Sequence, residues 1–315
     1  MEYKKLGNTD IEVSKLCFGS LTITPSQANL SISEGSRLIN FAYDNGINFI
    51  DTAEIYENYE YIREALKYIP RDKFVITSKT YAYTSEMADE SLNLALKELG
   101  TDYIDLFLLH EQESEMTLKG HYEALERLFA LKEKGYIRGV GISTHKIAAL
   151  KASEQFKEIE VIHPMINKYG LGILDGTRDE MLDEIKKART RGVGIYAMKV
   201  IGGGHLISEA DEAIKWANNI EYFDSMAIGM QSEEEVLNNI AIINNREVSL
   251  EIKSKLRTHN RTIDVEDYCI ACGNCEKRCQ AEAIKVIDGM ARINENCIMC
   301  GYCATVCPEF CIKVY

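Results

Sequence analysis

Phe74-Val75-Ile76-Thr77-Ser78, then Leu92, Ala95, Leu96 and Leu99 at helical spacing, then Gly100, then Ile104-Asp105-Leu106-Phe107-Leu108-Leu109: between residues 74 and 109 the sequence reads strand, helix, strand. Short apolar runs suit strands, whereas apolar residues three and four apart line one face of a helix. Gly100 stands where a helix C-cap wants a residue tolerant of positive φ. The unit repeats in both directions. Strands are predicted over 15–20, 47–51, 74–78, 104–109, 137–143, 161–166, 193–198 and 225–228. Leu38, Phe41 and Ala42 precede Gly46, and Leu125, Leu128 and Phe129 precede Gly135, in the same helix-then-glycine order. Eight such units in about 245 residues predict an α/β fold closed as a (β/α)8 barrel. A doubly wound open sheet is the alternative, but no G-x-G-x-x-G turn opens the chain as that fold prefers.

The 315 residues are 46% hydrophobic and 27% charged, ordinary for a soluble globular chain. A net charge of −13 argues against nucleic acid or an anionic membrane as partner. Met1 to Lys5 leads into polar Gly7-Asn8-Thr9-Asp10, which is no signal-peptide core, and no apolar run approaches the about 20 residues a membrane span needs. A cytoplasmic protein is expected, and in a reducing compartment ten cysteines favour metal binding over a disulfide framework.

The cysteines divide the chain. Residues 1–268 hold Cys17 alone, and residues 269–315 hold the other nine. The expected organisation is a barrel over 1–249, a linker or terminal helix over 250–264, and a small α+β cysteine domain over 265–315. In that domain Cys269-Ile270-Ala271-Cys272-Gly273-Asn274-Cys275 with Cys279 returns 28 residues later as Cys297-Ile298-Met299-Cys300-Gly301-Tyr302-Cys303 with Cys307. Each half is C-x2-C-x2-C-x3-C, which resembles bacterial two-cluster ferredoxins. The resemblance implies two [4Fe–4S] clusters. Cys269, Cys272, Cys275 and Cys307 would hold one, and Cys297, Cys300, Cys303 and Cys279 the other. Gln280 stands where the second half has Pro308, and Cys311 falls opposite Ala283, as a packed residue outside the ligand set. Structural zinc is the rival reading, but zinc sites usually pair one C-x2-C with a distant second pair.

Four residues stand at or just beyond the C-terminal ends of consecutive predicted strands: Asp51 and Tyr56, then Lys79, then His110. That end of a barrel is where active sites form. In the contexts Asn48-Phe49-Ile50-Asp51-Thr52-Ala53-Glu54-Ile55-Tyr56, Ile76-Thr77-Ser78-Lys79 and Leu108-Leu109-His110, the sequence resembles the aldo-keto reductases from about Leu6 to Asn239, with all four positions of their catalytic tetrad filled. The resemblance implies that Tyr56 delivers a proton to a developing alkoxide. Lys79 would lower the phenol's pKa from about 10, Asp51 would hold Lys79, and His110 would orient the carbonyl oxygen. Taken singly, Asp51 reads rather as a helix cap, Lys79 as a surface charge and His110 as a core hydrogen-bonder; taken together, the four read as catalytic.

The family's NAD(P)H-binding positions map onto Gly19, Ser143, Met198, Gly202, Gly203, Glu235 and Asn239, with departures. Met198 takes the place of the nicotinamide-stacking aromatic, Ser143-Thr144 replaces a Ser-Asn pair, and the sixth predicted strand lacks a glutamine. Glu235 stands where NADPH-selective members place an arginine, although three glutamates opening a helix are also ordinary dipole complementation. The run Gly202-Gly203-Gly204 would allow backbone N–H groups near a phosphate.

Three functions are compatible with these residues. The first is an oxidoreductase acting on a small-molecule carbonyl or alcohol, with the clusters relaying electrons, a flavin as pair-splitting cofactor, and a redox partner protein. The second is an NAD(P)H-dependent carbonyl reductase whose clusters are structural. The third is a non-catalytic electron carrier or redox sensor.

Overall fold

A computed structural model describes residues 1–258, 262–297 and 301–314. An antiparallel hairpin comes first, β1 (Tyr3–Lys5) with β2 (Glu12–Ser14). Eight parallel strands follow: β3 (Leu16–Gly19), β4 (Phe49–Asp51), β5 (Val75–Thr80), β6 (Ile104–Leu109), β7 (Ile137–Thr144), β8 (Val161–Pro164), β9 (Gly194–Ala197) and β10 (Ser225–Gly229). They pair in chain order, and β10 closes on both β9 and β3, so the sheet is a closed barrel.

The deciding stretch folds as its periodicity demands. Between β5 and β6 the helix Ser85–Leu99 starts where the Thr84 side chain accepts the Met87 N–H, and ends at Gly100 with φ +68°. Its buried face is Ala88, Ser91, Leu92, Ala95 and Leu99. The first predicted strand loses Lys15, whose buried ammonium instead donates to the Phe223 carbonyl at 2.7 Å.

Two cores result. The larger lies between the strands and their helices. The smaller fills the barrel, with Cys17, Phe49, Val75, Leu106, Leu108, Val161 and Tyr196 packed above Leu6, Ile11 and Val13 of the hairpin end. Each large apolar side chain buried there contributes about 2 kcal/mol. Because strand side chains alternate, the inward positions continue upward: Phe49 to Asp51, Val75 through Thr77 to Lys79, Val161 to His163. The layer that ends the apolar core therefore begins the polar mouth.

Beyond the barrel, the helix Leu250–Thr258 leads to a small two-sheet unit. There β11 (Ile263–Val265) pairs with β14 (Ile312–Val314), and β12 (Ile284–Ile287) pairs with β13 (Met290–Ile293). Its core takes in Ile207 of the barrel. The unit sits on the turn that follows β9. Phe310 stacks on His205 with ring centroids 3.9 Å apart, and a Cβ on Gly204 would lie 2.1 Å from the Val314 carbonyl oxygen.

Gly204 has φ +92° as well as that close approach. Gly204→Ala is therefore expected to cost the docked unit about 1.4 kcal/mol or more, which raises its open population about tenfold. Limited proteolysis should show correspondingly faster cleavage between the two units, with the barrel's own melting transition unchanged.

Candidate active site

Asp51 ends β4 and Lys79 lies on β5, and their side chains meet inside the barrel. The Lys79 ammonium is 2.8 Å from each Asp51 carboxylate oxygen and donates to the Thr52 carbonyl at 2.7 Å. Lys79 is 1% exposed and Asp51 5%. Charges this deep persist only when paired and hydrogen-bonded. Tyr196 on β9 adds a donor, its hydroxyl reaching Asp51 Oδ1 at 3.0 Å. His163 on β8 stacks on the Tyr196 ring at 3.8 Å, and its Nδ1 donates to the Tyr196 carbonyl at 2.6 Å. A carbonyl only accepts, so the ring proton is on Nδ1. Burial brings His163 down to about 4, and its neutral Nε2 lies 3.7 Å from Asp51 without forming an ion pair.

Tyr56 closes the short turn Glu54–Tyr56, with Glu57 beyond it at φ +50°. Asn58 pins that turn: its side chain bonds Thr52 and donates to the Ser20 hydroxyl at 2.8 Å. The Tyr56 ring sits edge-on to His110, centroids 5.9 Å apart, with the Lys79 ammonium 5.1 Å from its centre. His110 follows β6 directly, stacks on Tyr81 at 4.7 Å, and leaves its buried Nδ1 without a partner. The four tetrad positions thus converge on one mouth.

The electrostatics differ from the expectation in one respect. The resemblance implies a phenol lowered by Lys79, yet Tyr56 is pushed up, first by burial, then by Asp51 and Glu111. Asp51 has already matched the lysine's charge. His110 is driven down to about 2, by burial first and by Lys79 second, so it is a neutral imidazole.

The positions assigned to a nucleotide behave variously. Gly19 ends β3, and Met198 follows β9, bridging Met165. The Ser143 hydroxyl accepts the Glu111 N–H at 2.8 Å, and the Thr144 hydroxyl bonds Lys146. The Glu235 carboxylate turns back to accept the Gln231 N–H at 2.7 Å, while its own N–H donates to the cap Ser232. Asn239 is buried on the same helix. The glycine run is no open phosphate cradle. The N–H groups of Gly202 and Gly204 donate to Lys199 and Ile201, and Phe310 and Val314 cover Gly203 and Gly204. Glu235 and the covered glycine run do not fit a nucleotide phosphate.

Cys269, Cys272, Cys275 and Cys307 line a single cavity together with Cys311, whose Sγ is 3.3 Å from that of Cys307, well beyond disulfide length. Among the described residues no three metal-binding side chains close to single-ion spacing. Four thiols spread around one cavity suit the donor set of a [4Fe–4S] cluster. Cys279, Cys297 and Cys303 pack around the same small core. Cys300 lies outside the described residues.

Tyr196, His163, Glu111 and Lys199 were not foreseen. Tyr196 and His163 were legible only as inward positions of their strands. Glu111 and Lys199 take positive φ (49° and 55°), which no sequence pattern announces.

Residues 15–244 match the aldo/keto reductase family, and residues 261–308 match a 4Fe-4S dicluster domain. Curated relatives include probable aldo-keto reductase 1 of Glycine max, 28% identical over 64% of this chain and 59% of its own length. The methylglyoxal reductase DkgA of Yersinia pestis is 29% identical over 54% of this chain and 64% of its own. The chain thus spans less than two thirds of either relative. Among solved structures, the putative aldo-keto reductase PA4992 of Pseudomonas aeruginosa superposes with TM-score 0.65 at 23% identity, covering 77% of this chain and 94% of that one. The holo form of AKR11C1 of Bacillus halodurans gives 0.66 at 20%, covering 82% and 95%; both show likeness of fold. With its barrel, and with the match running through most of its length, the chain belongs to the aldo/keto reductase family and carries a 4Fe-4S dicluster domain behind it.

Proposed function

We propose that this chain is an oxidoreductase that reduces a small-molecule carbonyl, or oxidises the corresponding alcohol, at the barrel mouth, with electrons relayed through two [4Fe–4S] clusters. The observation that carries the reading is the seating of the cysteine unit on the turn after β9, on the tetrad's side of the barrel, with Phe310 stacked on His205 at 3.9 Å. Cys269, Cys272, Cys275 and Cys307 would hold one cluster and Cys279, Cys297, Cys300 and Cys303 the other, and such clusters would supply one electron at a time. Carbonyl reduction takes two electrons and two protons, so a nicotinamide or a flavin is the class of group that would join the two.

This chain's residues define the proton side. Tyr56 keeps its proton across the physiological range, because burial and two carboxylates raise its pKa. It is therefore a donor throughout. His110 is neutral and offers a second polar contact to a carbonyl oxygen. As negative charge develops on that oxygen in a poorly solvated mouth, a donor aimed at it contributes about 3 kcal/mol. Asp51 holds Lys79 under the Tyr56 ring and so fixes the floor of the site. The DkgA relative acts on methylglyoxal, which makes that small aldehyde the first substrate to try.

A second reading keeps the barrel chemistry but makes the clusters structural, favoured by the way Phe310 and β14 plug the glycine turn. In both, a cytoplasmic enzyme is proposed. No helix among the described residues is long and apolar enough to cross a membrane.

Anaerobic purification with iron, sulfide and mass-spectrometric cofactor analysis separates the two. About eight irons with a flavin supports the relay, whereas full iron with no flavin, and NAD(P)H turnover indifferent to cluster reduction, supports the structural role. Tyr56→Phe is expected to lower kcat for methylglyoxal about 10²-fold or more with iron content unchanged. Unchanged turnover would leave only a carrier or sensor. With His110 at about 2 rather than 6.5, kcat/KM should show no histidine inflection between pH 5 and 8. Stability should fall as pH drops below 6.5, because the unfolded chain then binds a proton that the folded site refuses.

A further inference from the structure

The cysteine unit holds nine cysteines, and two [4Fe–4S] clusters would use eight of them; Cys311 is the ninth. It is 2% exposed and lines the cavity of Cys269, Cys272, Cys275 and Cys307. Its Sγ lies 3.3 Å from the Cys307 Sγ. The sulfur left out of the ligand set is thus buried against a member of it.

The sequence repeat provides an internal comparison. At the offset of 28, Cys279 and Ala283 correspond to Cys307 and Cys311, and the two turns share one backbone. The Glu282 N–H donates to the Cys279 carbonyl at 3.2 Å, and the Phe310 N–H to the Cys307 carbonyl at 3.4 Å. Glu282 and Phe310 take φ +50° and +60°. The next carbonyl along accepts in both halves, from the Asn294 N–H to Ala283 at 2.9 Å and from the Glu266 N–H to Cys311 at 2.8 Å. Ala283 is 1% exposed, and its own N–H donates to the Cys279 Sγ at 3.3 Å. One turn therefore presents a methyl group beside a ligand cysteine, and its twin presents a thiol. Because the first half is built with alanine, nothing in the turn's backbone requires sulfur at Cys311.

Four thiolates fill the four corners of a cluster, so a fifth thiol is left without iron and keeps its proton. A ligating Cys307 is a thiolate, which only accepts. The 3.3 Å contact is then an S–H donated by Cys311 to the Cys307 sulfur. Hydrogen bonds to ligand sulfurs are one of the levers that set a cluster's reduction potential. Uptake of one electron from a one-electron reductant adds negative charge to those sulfurs, so a donor aimed at them favours the reduced form. No covalent bond forms or breaks, and the proton stays on Cys311.

We propose that Cys311 is a positioning residue whose thiol donates to Cys307 and raises the potential of the cluster held by Cys269, Cys272, Cys275 and Cys307. The thiol makes the two clusters of one sequence repeat unequal. The inference rests on the proposed ligand set, and it adds how one cluster is tuned.

The test is an anaerobic redox titration of the full-length, cluster-loaded protein with dithionite, read by electron paramagnetic resonance. Cys311→Ala copies the first half of the repeat and should keep about eight irons. It should shift one cluster only, lowering its reduced-to-oxidised ratio at a fixed potential at least about threefold, which is about 28 mV for a one-electron couple. Cys311→Ser keeps a donor and should recover part of that shift. Unchanged potentials in a fully loaded Cys311→Ala overturn the proposal. Equal losses in the alanine and serine variants overturn it as well, since they would mark an effect of packing alone. Loss of about four irons in Cys311→Ala would make Cys311 a ligand in place of Cys307, which also overturns it. Should Cys311→Ala fail to fold, Ala283→Cys installs the thiol in the other half and should raise the other cluster by a like amount; no shift with full iron overturns the proposal. Wild type that binds far fewer than about eight irons removes the ligand set, and the proposal with it, a failure distinct from unchanged potentials in a loaded variant.

Discussion

The buried contact between Asp51 and Lys79 sets the terms for everything at the barrel mouth. Neither charge is tolerable alone at that depth, and removing either would leave the other uncompensated, at a cost of about 3–5 kcal/mol. Together with the Tyr196 hydroxyl and the Thr52 carbonyl they form a closed set spread over β4, β5 and β9. That closure has a price in function: a lysine satisfied by its carboxylate has little field left for a neighbouring phenol. Tyr56 stays protonated because burial, Asp51 and Glu111 raise it, and His110 stays neutral because burial and then Lys79 lower it. The mouth offers hydrogen-bonding groups, which suits an oxygen that becomes negative only as reaction proceeds.

The cysteine unit meets this site through a glycine turn. Gly202, Gly203 and Gly204 all take positive φ, and the last two lie against Val314 and Phe310 with no room for a side chain at Gly204. Backbone freedom that reads as access for a phosphate is used here for close packing of protein on protein. The cysteine unit and the barrel meet within one chain, so the geometry of their contact does not depend on diffusion.

The periodicity of residues 74–109 and its repeats determined the strand and helix alternation, and with it the barrel, because which face of a segment is apolar is a local property that burial then enforces. The cysteine spacing determined the cluster-type unit for the same reason: three donors on one short loop need no distant partner to be recognised. That Asp51, Tyr56, Lys79 and His110 lie at one end of the barrel was legible too, since each stands at or just beyond the C-terminal end of a strand. What those residues feel was not legible. The raised phenol of Tyr56, the stacking of His163 on Tyr196 and the covered glycine turn all depend on groups distant in the chain. Charge and desolvation act through space, so only the tertiary structure, by choosing neighbours, decided them.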